Sequence, residues 1–261
     1  MYLDLVDKRA IVCGSTQGIG KASAIELASM GASITLIARN EEKLRTVLDE
    51  LDTSRGQQHN YIAADFSYPQ ELKNKVEEYM SSHVVEILVN NTGGPPAGLA
   101  INAKPEDFVN AFSEHLLCNH ILTQAVVPGM KSKKYGRIIN IISTSVKIPI
   151  KGLGVSNSVR GAVANWSKTL ANELGQFGIT VNNVLPGSTM TGRLEAVLSG
   201  KAAQTGKSFD EVKREMIEEI PAKRIGEPHE IAAVVGFLAS PAAGYINGVN
   251  IPVDGGRTGA L

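Results

Sequence analysis

A glycine-rich turn near the start of the chain separates a short apolar run from a helical pattern. Residues 8–13 (KRAIVC) predict a buried strand, and residues 19–30 have the apolar spacing of a helix. Glycines allow a tight turn and bring backbone N–H groups close to a phosphate, and the helix N-terminus adds partial positive charge. This strand–turn–helix order predicts a dinucleotide site, whose candidate residues are Gly14, Ser15, Thr16, Gln17, Gly18, Ile19 and Gly20.

The rest of the chain continues the alternation of short apolar runs and longer helical patterns. Strands are predicted at residues 8–13, 34–38, 61–64, 86–89, 137–142, 180–185 and 249–253. Helical patterns stand between them, at residues 19–30, 41–51, 72–80, 105–130, 156–174 and 230–239. Because the strands are rich in Ile and Val and lack polar alternation, they indicate a parallel sheet covered on both faces. We therefore expect an α/β fold, with one doubly wound domain over residues 1–261.

Residues 186–228 are the least regular stretch and predict a long loop with short helices. Loops of this kind often close over a substrate, so we expect a substrate lid at residues 187–228. The segment mixes both charges and carries no clear signature of an anionic substrate. Its cations Arg193, Lys201 and Lys207 could meet an acyl carrier or coenzyme A, or form a solvated face.

The charge balance excludes several classes of partner. Lys plus Arg and Asp plus Glu each number 26, so the formal charge is zero, which argues against nucleic-acid or membrane-surface binding. Two cysteines without CxxC or Cys/His spacing argue against a disulfide scaffold and a zinc site, so no metal is expected. No apolar run approaches the roughly 18 residues that span a bilayer. The first ten residues carry Asp4 and lack a long apolar core, so we expect no secretory signal and a cytoplasmic protein.

Several motifs agree in order and spacing with one known family. The first turn has the spacing GxxxGxG, Asn90-Asn91-Thr92-Gly93 follows the fourth strand, and Pro186-Gly187 follows the sixth. Together with Asp254-Gly255-Gly256 near the end, they make nearly the whole chain resemble the short-chain dehydrogenase/reductase family. The resemblance implies a Rossmann-type seven-stranded sheet, a nicotinamide cofactor and a homotetramer or homodimer. It also implies cofactor contacts from these residues: Asp65, Phe66, Asn91, Thr92, Gly93, Pro186, Gly187, Thr189 and Thr191.

The end of the second strand bears on the choice of cofactor. An acid there would bind the ribose 2′-OH of NAD and repel the 2′-phosphate of NADP. The sequence has Ala38-Arg39-Asn40 instead, and Arg39 can clamp a phosphate or stack on adenine. NADP(H) is therefore favoured over NAD(H), with Arg39 and Asn40 as candidate contacts. Arg39 could also be a solvated surface cation, and Asp65 could serve only to cap the segment after it.

The catalytic positions depart from the family pattern. Ser143 matches the family's active-site serine at the end of the fifth strand. The family's tyrosine position falls on Ser156, its lysine position on Arg160 and its asparagine position near His115, so YxxxK has become SxxxR. Six tyrosines are present, and none lies between Ser143 and Arg160.

These replacements change what the site can do with a proton. An alkyl hydroxyl such as Ser156 is a far weaker acid than a phenol, whose pKa is about 10. Arg160 stays protonated, but it can still hydrogen-bond the nicotinamide ribose and supply positive potential. Three substitutes for the tyrosine and lysine are open. Ser143 and Ser156 could bind a carbonyl oxygen, with water as the proton donor. Lys147 could donate a proton or bind an anion, and His115, with an ordinary pKa near 6.5, could feed a water chain. Each has a plainer alternative, with Lys147 a solvated loop lysine, His115 a packed helix histidine and Ser156 a helix cap.

Three functions remain in view. The first is an NADP(H)-dependent short-chain oxidoreductase that moves hydride between nicotinamide and a carbonyl or alcohol, similar to a 3-oxoacyl reductase, with a non-standard proton-transfer site. The second is a catalytically silent cofactor-binding sensor or structural subunit. The third is an enoyl-type reductase. In each case Gly94-Pro95-Pro96 predicts a rigid turn beside the nicotinamide.

Overall fold

A parallel sheet forms the centre of the molecule. The computed structural model describes residues 2–260, and within them seven strands pair in the order β3-β2-β1-β4-β5-β6-β7. All six pairings are parallel. The strands are β1 Arg9–Cys13, β2 Ser33–Ala38, β3 Asn60–Ala63, β4 Ile87–Asn90, β5 Gly136–Ile141, β6 Ile179–Pro186 and β7 Asn250–Val253. The predicted α/β, Rossmann-type fold with seven parallel strands is confirmed.

Helices cover both faces of the sheet. Over the same residues they are α1 Gly18–Ser29, α2 Glu41–Asp49, α3 Pro69–Met80, α4 Pro105–Phe112, α5 Cys118–Lys133, α6 Gly154–Leu174, α7 Gly192–Thr205, α8 Phe209–Glu218 and α9 Pro228–Ala239. One apolar core packs α1, α2 and α9 on the sheet, and the other packs α3, α5 and α6. No helix in the described part of the chain combines the length and apolar character needed to cross a bilayer.

The two cores explain why residues 10–13 of β1 are all apolar. Side chains alternate between the faces of a strand. In β1, Ala10 and Val12 therefore enter one core, while Ile11 and Cys13 enter the other. Both faces of β1 meet an apolar core, so β1 shows no alternation of polar and apolar residues.

Residues 186–228 are more helical than the sequence suggested. Thr191 caps α7, accepting the N–H of Leu194, and Ser208 caps α8 with Glu211 in a reciprocal capping box. The Ser-x-x-Glu spacing at residues 208–211 was the local signal for this second helix. The segment was predicted as a long loop with short helices; the helices are present, but they are longer than expected and pack against each other.

Two further helical predictions need correction. The pattern over 105–130 is divided into α4 and α5 by a π-helical segment, Ser113–Leu117. The helix predicted at residues 156–174 is α6, which begins at Gly154 with Leu153 as its N-cap, so Ser156 is not a helix cap. The earlier start is fixed by the main chain, since the N–H of Gly154 donates to the carbonyl of Gly98 at 3.0 Å.

A row of asparagines crosses four strands. Asn90, Asn140, Asn183 and Asn250 are register partners in β4, β5, β6 and β7. Each carboxamide donates to the next, over 2.8 Å from Asn90 to Asn140, 3.0 Å to Asn183 and 2.8 Å to Asn250. Asn140 also donates to Ser167 on α6 at 2.9 Å. The row fixes the relative height of the strands whose ends carry the candidate site.

We predict that Asn140→Leu destabilises the protein strongly. Asn140 is fully buried, and its loss leaves polar groups of Asn90, Ser167 and Asn183 without their partners. Each buried group left unsatisfied costs about 1–3 kcal/mol, so the free energy of unfolding should fall by more than about 2 kcal/mol in urea titrations. Asn250→Leu at the half-buried end of the row is the control and should cost less. Equal losses for the two variants would contradict this assignment.

Candidate active site

The turn after β1 and the loop after β4 meet at the carboxyl edge of the sheet. In the sheet, β1 has β2 as its neighbour on one side and β4 on the other. This reversal of strand order opens a crevice of the kind that binds ligands in doubly wound sheets. The carboxamide of Asn91 joins the two segments by donating to the carbonyl oxygens of Cys13 at 3.2 Å and Gly14 at 3.3 Å. The first predicted cofactor contacts are thus held in one fixed arrangement.

Two glycines of the turn are required by protein packing. A Cβ on Gly14 would stand 2.6 Å from the carbonyl oxygen of Asn91, and one on Gly20 would stand 2.2 Å from that of Gly14. Gly14 also has a φ of +58°, in the left-handed region that glycine tolerates. The missing side chains let α1 and the loop after β4 close on each other.

The N-terminus of α1 is open to an anion. Its N-cap, Gln17, makes no side-chain capping bond, and the first turn carries no acid. The first N–H groups of a helix have no acceptor within the helix and carry partial positive charge, which suits a phosphate. The residues present therefore fit a dinucleotide, with the backbone of Thr16, Gln17, Gly18 and Ile19 nearest to that helix end. Ser15 differs, because it is buried and its hydroxyl donates to the carbonyl of Ile37 in β2.

The loop after β6 comes over the same turn. A Cβ on Gly18 would lie 3.1 Å from the methyl carbon of Thr191. Thr189 is buried and donates to the carbonyl of Gly187. The backbone of Gly187 lies so close to Asp254 that a Cβ on Gly187 would collide with it. The segment Pro186 to Thr191 therefore borders the crevice opposite α1, as its predicted role requires.

The end of β2 places a cation at the outer part of the crevice. The Arg39 side chain is 76% exposed, and its guanidinium lies 3.9 Å from the carboxylate of Asp65. Asn40 is engaged, since its side chain caps α2 by accepting the N–H of Lys43 at 2.9 Å. Asp65 accepts the N–H of Ser67, so it does shape the segment after β3. The carbonyl of Phe66 accepts the thiol hydrogen of Cys118.

The inner end of the crevice carries the candidate catalytic residues. Ser143 follows β5, and its hydroxyl accepts the N–H of Ser145 at 3.1 Å. Ser156 and Arg160 stand one turn apart on α6. Arg160 is buried and donates to the carbonyl of Ile141 at 3.2 Å. Burial, aided by the charge of Arg193, lowers the pKa of Arg160 to about 10, so it remains a cation at neutral pH.

His115 lies in the π-helical segment and faces the same site. It is buried, its Nδ1 is hydrogen-bonded to the hydroxyl of Thr92, and its Nε2 has no partner within residues 2–260. Burial, followed by the charges of Arg160 and Arg193, lowers the pKa of His115 to about 3. The expectation of a pKa near 6.5 was therefore wrong, and His115 is a neutral imidazole at physiological pH.

The remaining predicted residue, Lys147, lies close to Ser143 along the chain. It ends the short 3₁₀ turn Thr144–Val146 and is half-buried. Three tyrosine hydroxyls are engaged elsewhere: those of Tyr61, Tyr79 and Tyr135 are hydrogen-bonded to Glu41, Thr35 and the carbonyl of Ala239.

One residue of the lid segment has a contact that the sequence does not predict. Arg193, in the first turn of α7, donates to the carbonyl of Pro95 at 2.5 Å and so reaches the loop after β4. The same loop is bonded to the start of α6, where Gly98 donates to the carbonyl of Gly152 at 2.7 Å. Arg193 was read as an acyl-carrier contact or part of a solvated face. Its contact with Pro95 spans 98 residues, and nothing local in the sequence signals it.

Comparisons with known proteins agree over nearly the whole chain. Residues 14–258 match a family described as enoyl-(acyl carrier protein) reductase. The 3-oxoacyl-[acyl-carrier-protein] reductase FabG of Vibrio cholerae is 34% identical over 97% of this chain and 98% of its own length. The L-sorbose reductase of Gluconobacter frateurii, solved with NADPH and L-sorbose, superposes with a TM-score of 0.93 at 30% identity, covering all of both chains. A putative NAD(P)-dependent gluconate 5-dehydrogenase of Beutenbergia cavernae with bound NADP has a TM-score of 0.88 at 27% identity, over 98% and 99% of the two chains.

We predict that Gly14→Ala weakens NADPH binding by at least about tenfold, which corresponds to about 1.4 kcal/mol. The added Cβ would collide with Asn91 and separate the two loops that frame the crevice. Fluorescence titration with NADPH measures the effect. Gly56→Ala is the matched control, because Gly56 also has a positive φ, of +82°, but a Cβ there meets nothing within 4 Å. Unchanged NADPH affinity in Gly14→Ala would contradict the placement of the cofactor.

We also predict that His115 makes the protein less stable in acid. The histidine binds a proton below about pH 6.5 when unfolded but only near pH 3 when folded, so stability is lost as pH falls between these values. Urea unfolding of the wild type should lose up to about 2 kcal/mol between pH 7.5 and pH 5 from this group. His115→Gln should remove that part of the pH dependence. Identical pH profiles for the variant and the wild type would disprove it.

Proposed function

The chain belongs to the short-chain dehydrogenase/reductase family of oxidoreductases, and on that premise we propose that it is an NADP(H)-dependent enzyme that reduces a small carbonyl compound or oxidises the matching alcohol. The observation that carries the proposal is the crevice at the carboxyl edge of the sheet. It has an uncapped helix N-terminus at one end and serines beside a buried cation at the other.

The cofactor would lie along this crevice. The backbone of residues 15–20 and the first turn of α1 would hold its phosphates, with Asn91, Thr92 and Gly93 on one side and Thr189 and Thr191 on the other. When bound, a nicotinamide dinucleotide supplies or accepts the hydride. Arg160 would position the nicotinamide ribose, because its side chain is fixed by the carbonyl of Ile141 and keeps further N–H donors.

Arg39 supports NADP(H) over NAD(H). Its exposed guanidinium stands at the end of β2, where a 2′-phosphate would meet it, and no acid occupies positions 38–40. The solved L-sorbose reductase and gluconate dehydrogenase relatives hold NADPH and NADP, which also supports the choice.

The proton step would use a different apparatus from a tyrosine and lysine pair. By the spacing from Ser143, Ser156 and Arg160 would take the positions of that pair, and neither is an acid that gives up a proton readily near pH 7. Ser143, Ser156 and the charge of Arg160 would bind the carbonyl oxygen and stabilise the negative charge that develops on it. The neutral His115 would hold a water at its unpartnered Nε2, and this water would give the proton to the carbonyl oxygen and regain one from solvent.

The helices α7 and α8 would serve as the substrate lid over residues 187–228. Arg193 on α7 supports this role, because it already contacts Pro95 across the crevice. We expect a homodimer or homotetramer, for which the exposed apolar side chains of Val109, Phe112 and Leu117 on α4 and the following π segment offer a contact surface.

Hydride tracing tests the proposed function. The protein is mixed with NADPH deuterated at the transferable carbon and a panel of ketones, aldehydes, oxo acids and conjugated thioesters, and the products are examined by mass spectrometry. Deuterium on a carbinol carbon is expected, and NADPH fluorescence reports binding in the same samples.

The other outcomes discriminate between the alternatives. Deuterium beside a saturated thioester would identify an enoyl-type reductase, as the description of the matching family model suggests. Cofactor binding without transfer to any compound would favour a silent sensor or structural subunit. Absence of NADPH binding would overturn the proposal. The Gly14→Ala variant, in which binding should be weak, is the control for transfer outside the crevice.

We predict that Arg39→Asp reverses the cofactor preference. A carboxylate at this position would repel the 2′-phosphate and accept a hydrogen bond from a 2′-OH. The dissociation constant for NADPH should rise about 10- to 100-fold, as expected for loss of a charge-assisted contact, while that for NADH should not rise. Lys43→Asp, an exposed site on the adjacent α2, is the charge-matched control. Equal weakening in both variants would show that Arg39 acts only through net charge.

A further inference from the structure

Two arginines converge on the loop after β4 from different helices. The Nη2 atom of Arg193 lies 3.5 Å, and that of Arg160 lies 4.0 Å, from the point where a Cβ on Gly94 would stand. Arg160 comes from α6 and Arg193 from α7, so the two guanidinium groups approach one small volume from two sides. A side chain at residue 94 would occupy that volume, and the glycine leaves it open.

The charge of this pair is not neutralised by the protein. Within residues 2–260, neither arginine takes part in an ion pair, although ten such pairs occur elsewhere. Each makes one hydrogen bond, Arg160 to the carbonyl of Ile141 and Arg193 to the carbonyl of Pro95. A guanidinium has five donors, so most of their donor capacity is unused. Burying a cation without an anion is unfavourable, and Arg160 is buried. A negatively charged ligand next to Arg160 would therefore be stabilising.

The position of Arg193 in its helix adds to the positive potential beside Arg160. It is the second residue of α7, a 14-residue helix whose N-terminus carries partial positive charge. A cation is disfavoured at that end of a helix, and it also repels Arg160. The pKa values of Arg160 and His115 are both lowered in part by neighbouring cations, in agreement with a positive potential in this part of the crevice.

We propose that Arg160 and Arg193 form a subsite for a carboxylate of the substrate, so that the preferred substrate is a small oxo acid with its ionised carboxyl group close to the reacting carbonyl. This rests on the proposed function and names its substrate class. The carbonyl carbon would accept a hydride, its oxygen would take a proton from solvent, and the product would be a hydroxy acid, with the nicotinamide oxidised by the same two electrons. The phosphates of the cofactor are the other anions at hand, but the N-terminus of α1 already provides for them at the other end of the crevice.

Matched substrate pairs test the proposal. Acetoacetate is compared with acetoacetamide, and 2-oxobutanoate with 2-oxobutanamide, in the wild type and in Arg193→Gln. We expect the wild type to prefer at least one of the acids, and Arg193→Gln to lower the acid-to-amide ratio of kcat/KM by about 10- to 100-fold, as for loss of a charge-assisted contact. Lys73→Gln, an exposed cation on α3, which carries no residue of the candidate site or the lid, should leave both rates unchanged. Equal use of acids and amides by the wild type would overturn the proposal.

Two binding measurements separate this proposal from the proposed function. If Arg193→Gln raised the dissociation constant of NADPH and left the acid-to-amide ratio alone, the arginine would belong to the cofactor and the proposal would fail. If no compound accepted hydride, calorimetric titration with malonate in the presence of NADP⁺ would still decide it. Malonate binding that is lost in Arg193→Gln and kept in Lys73→Gln supports the subsite, and absence of binding to the wild type excludes it.

Discussion

The carboxamide of Asn91 fixes the geometry on which the whole crevice depends. By donating to the carbonyl oxygens of Cys13 and Gly14, it binds the turn after β1 to the loop after β4. This approach is possible only because Gly14 and Gly20 lack a Cβ. With the turn held, the N-terminus of α1 faces the crevice, and the loop beyond Asn91 continues to Pro95, where it meets Arg193. One short segment thus connects the turn after β1 with the inner end of the crevice.

Electrostatics at the inner end are set by burial and by like charges acting together. The buried Arg160 keeps its charge, whereas the buried His115 loses its ability to hold a proton near neutrality. The result is a permanent positive potential beside neutral hydrogen-bonding groups. Such a potential acts most strongly on a reacting group that gains negative charge, because donors that are already oriented need no reorganisation.

Features encoded locally could be predicted from the sequence, and features that depend on distant residues could not. The strands appear within about two residues of their apolar runs, because a strand buried on both faces needs that pattern. The glycine turn was recognisable because its spacing is short. The asparagine row, the π-helical turn at His115 and the contact of Arg193 with Pro95 arise only when separate elements pack. The low pKa of His115 has the same origin, since burial is a property of the fold and not of the residue.

The main-chain hydrogen bonds that join Gly98 to Gly152 and Gly154 have a consequence for how the residues of such a site can change in evolution. These bonds join main-chain atoms, as do those between β4 and β5, so this wall of the crevice does not rely on the side chains of Ser156 and Arg160. Hydroxyls and cations at positions such as 156 and 160 can therefore be exchanged while the shape of the crevice is kept. A crevice whose shape is held by main-chain bonds can keep that shape while its lining residues change, so a new reaction can arise without a new fold.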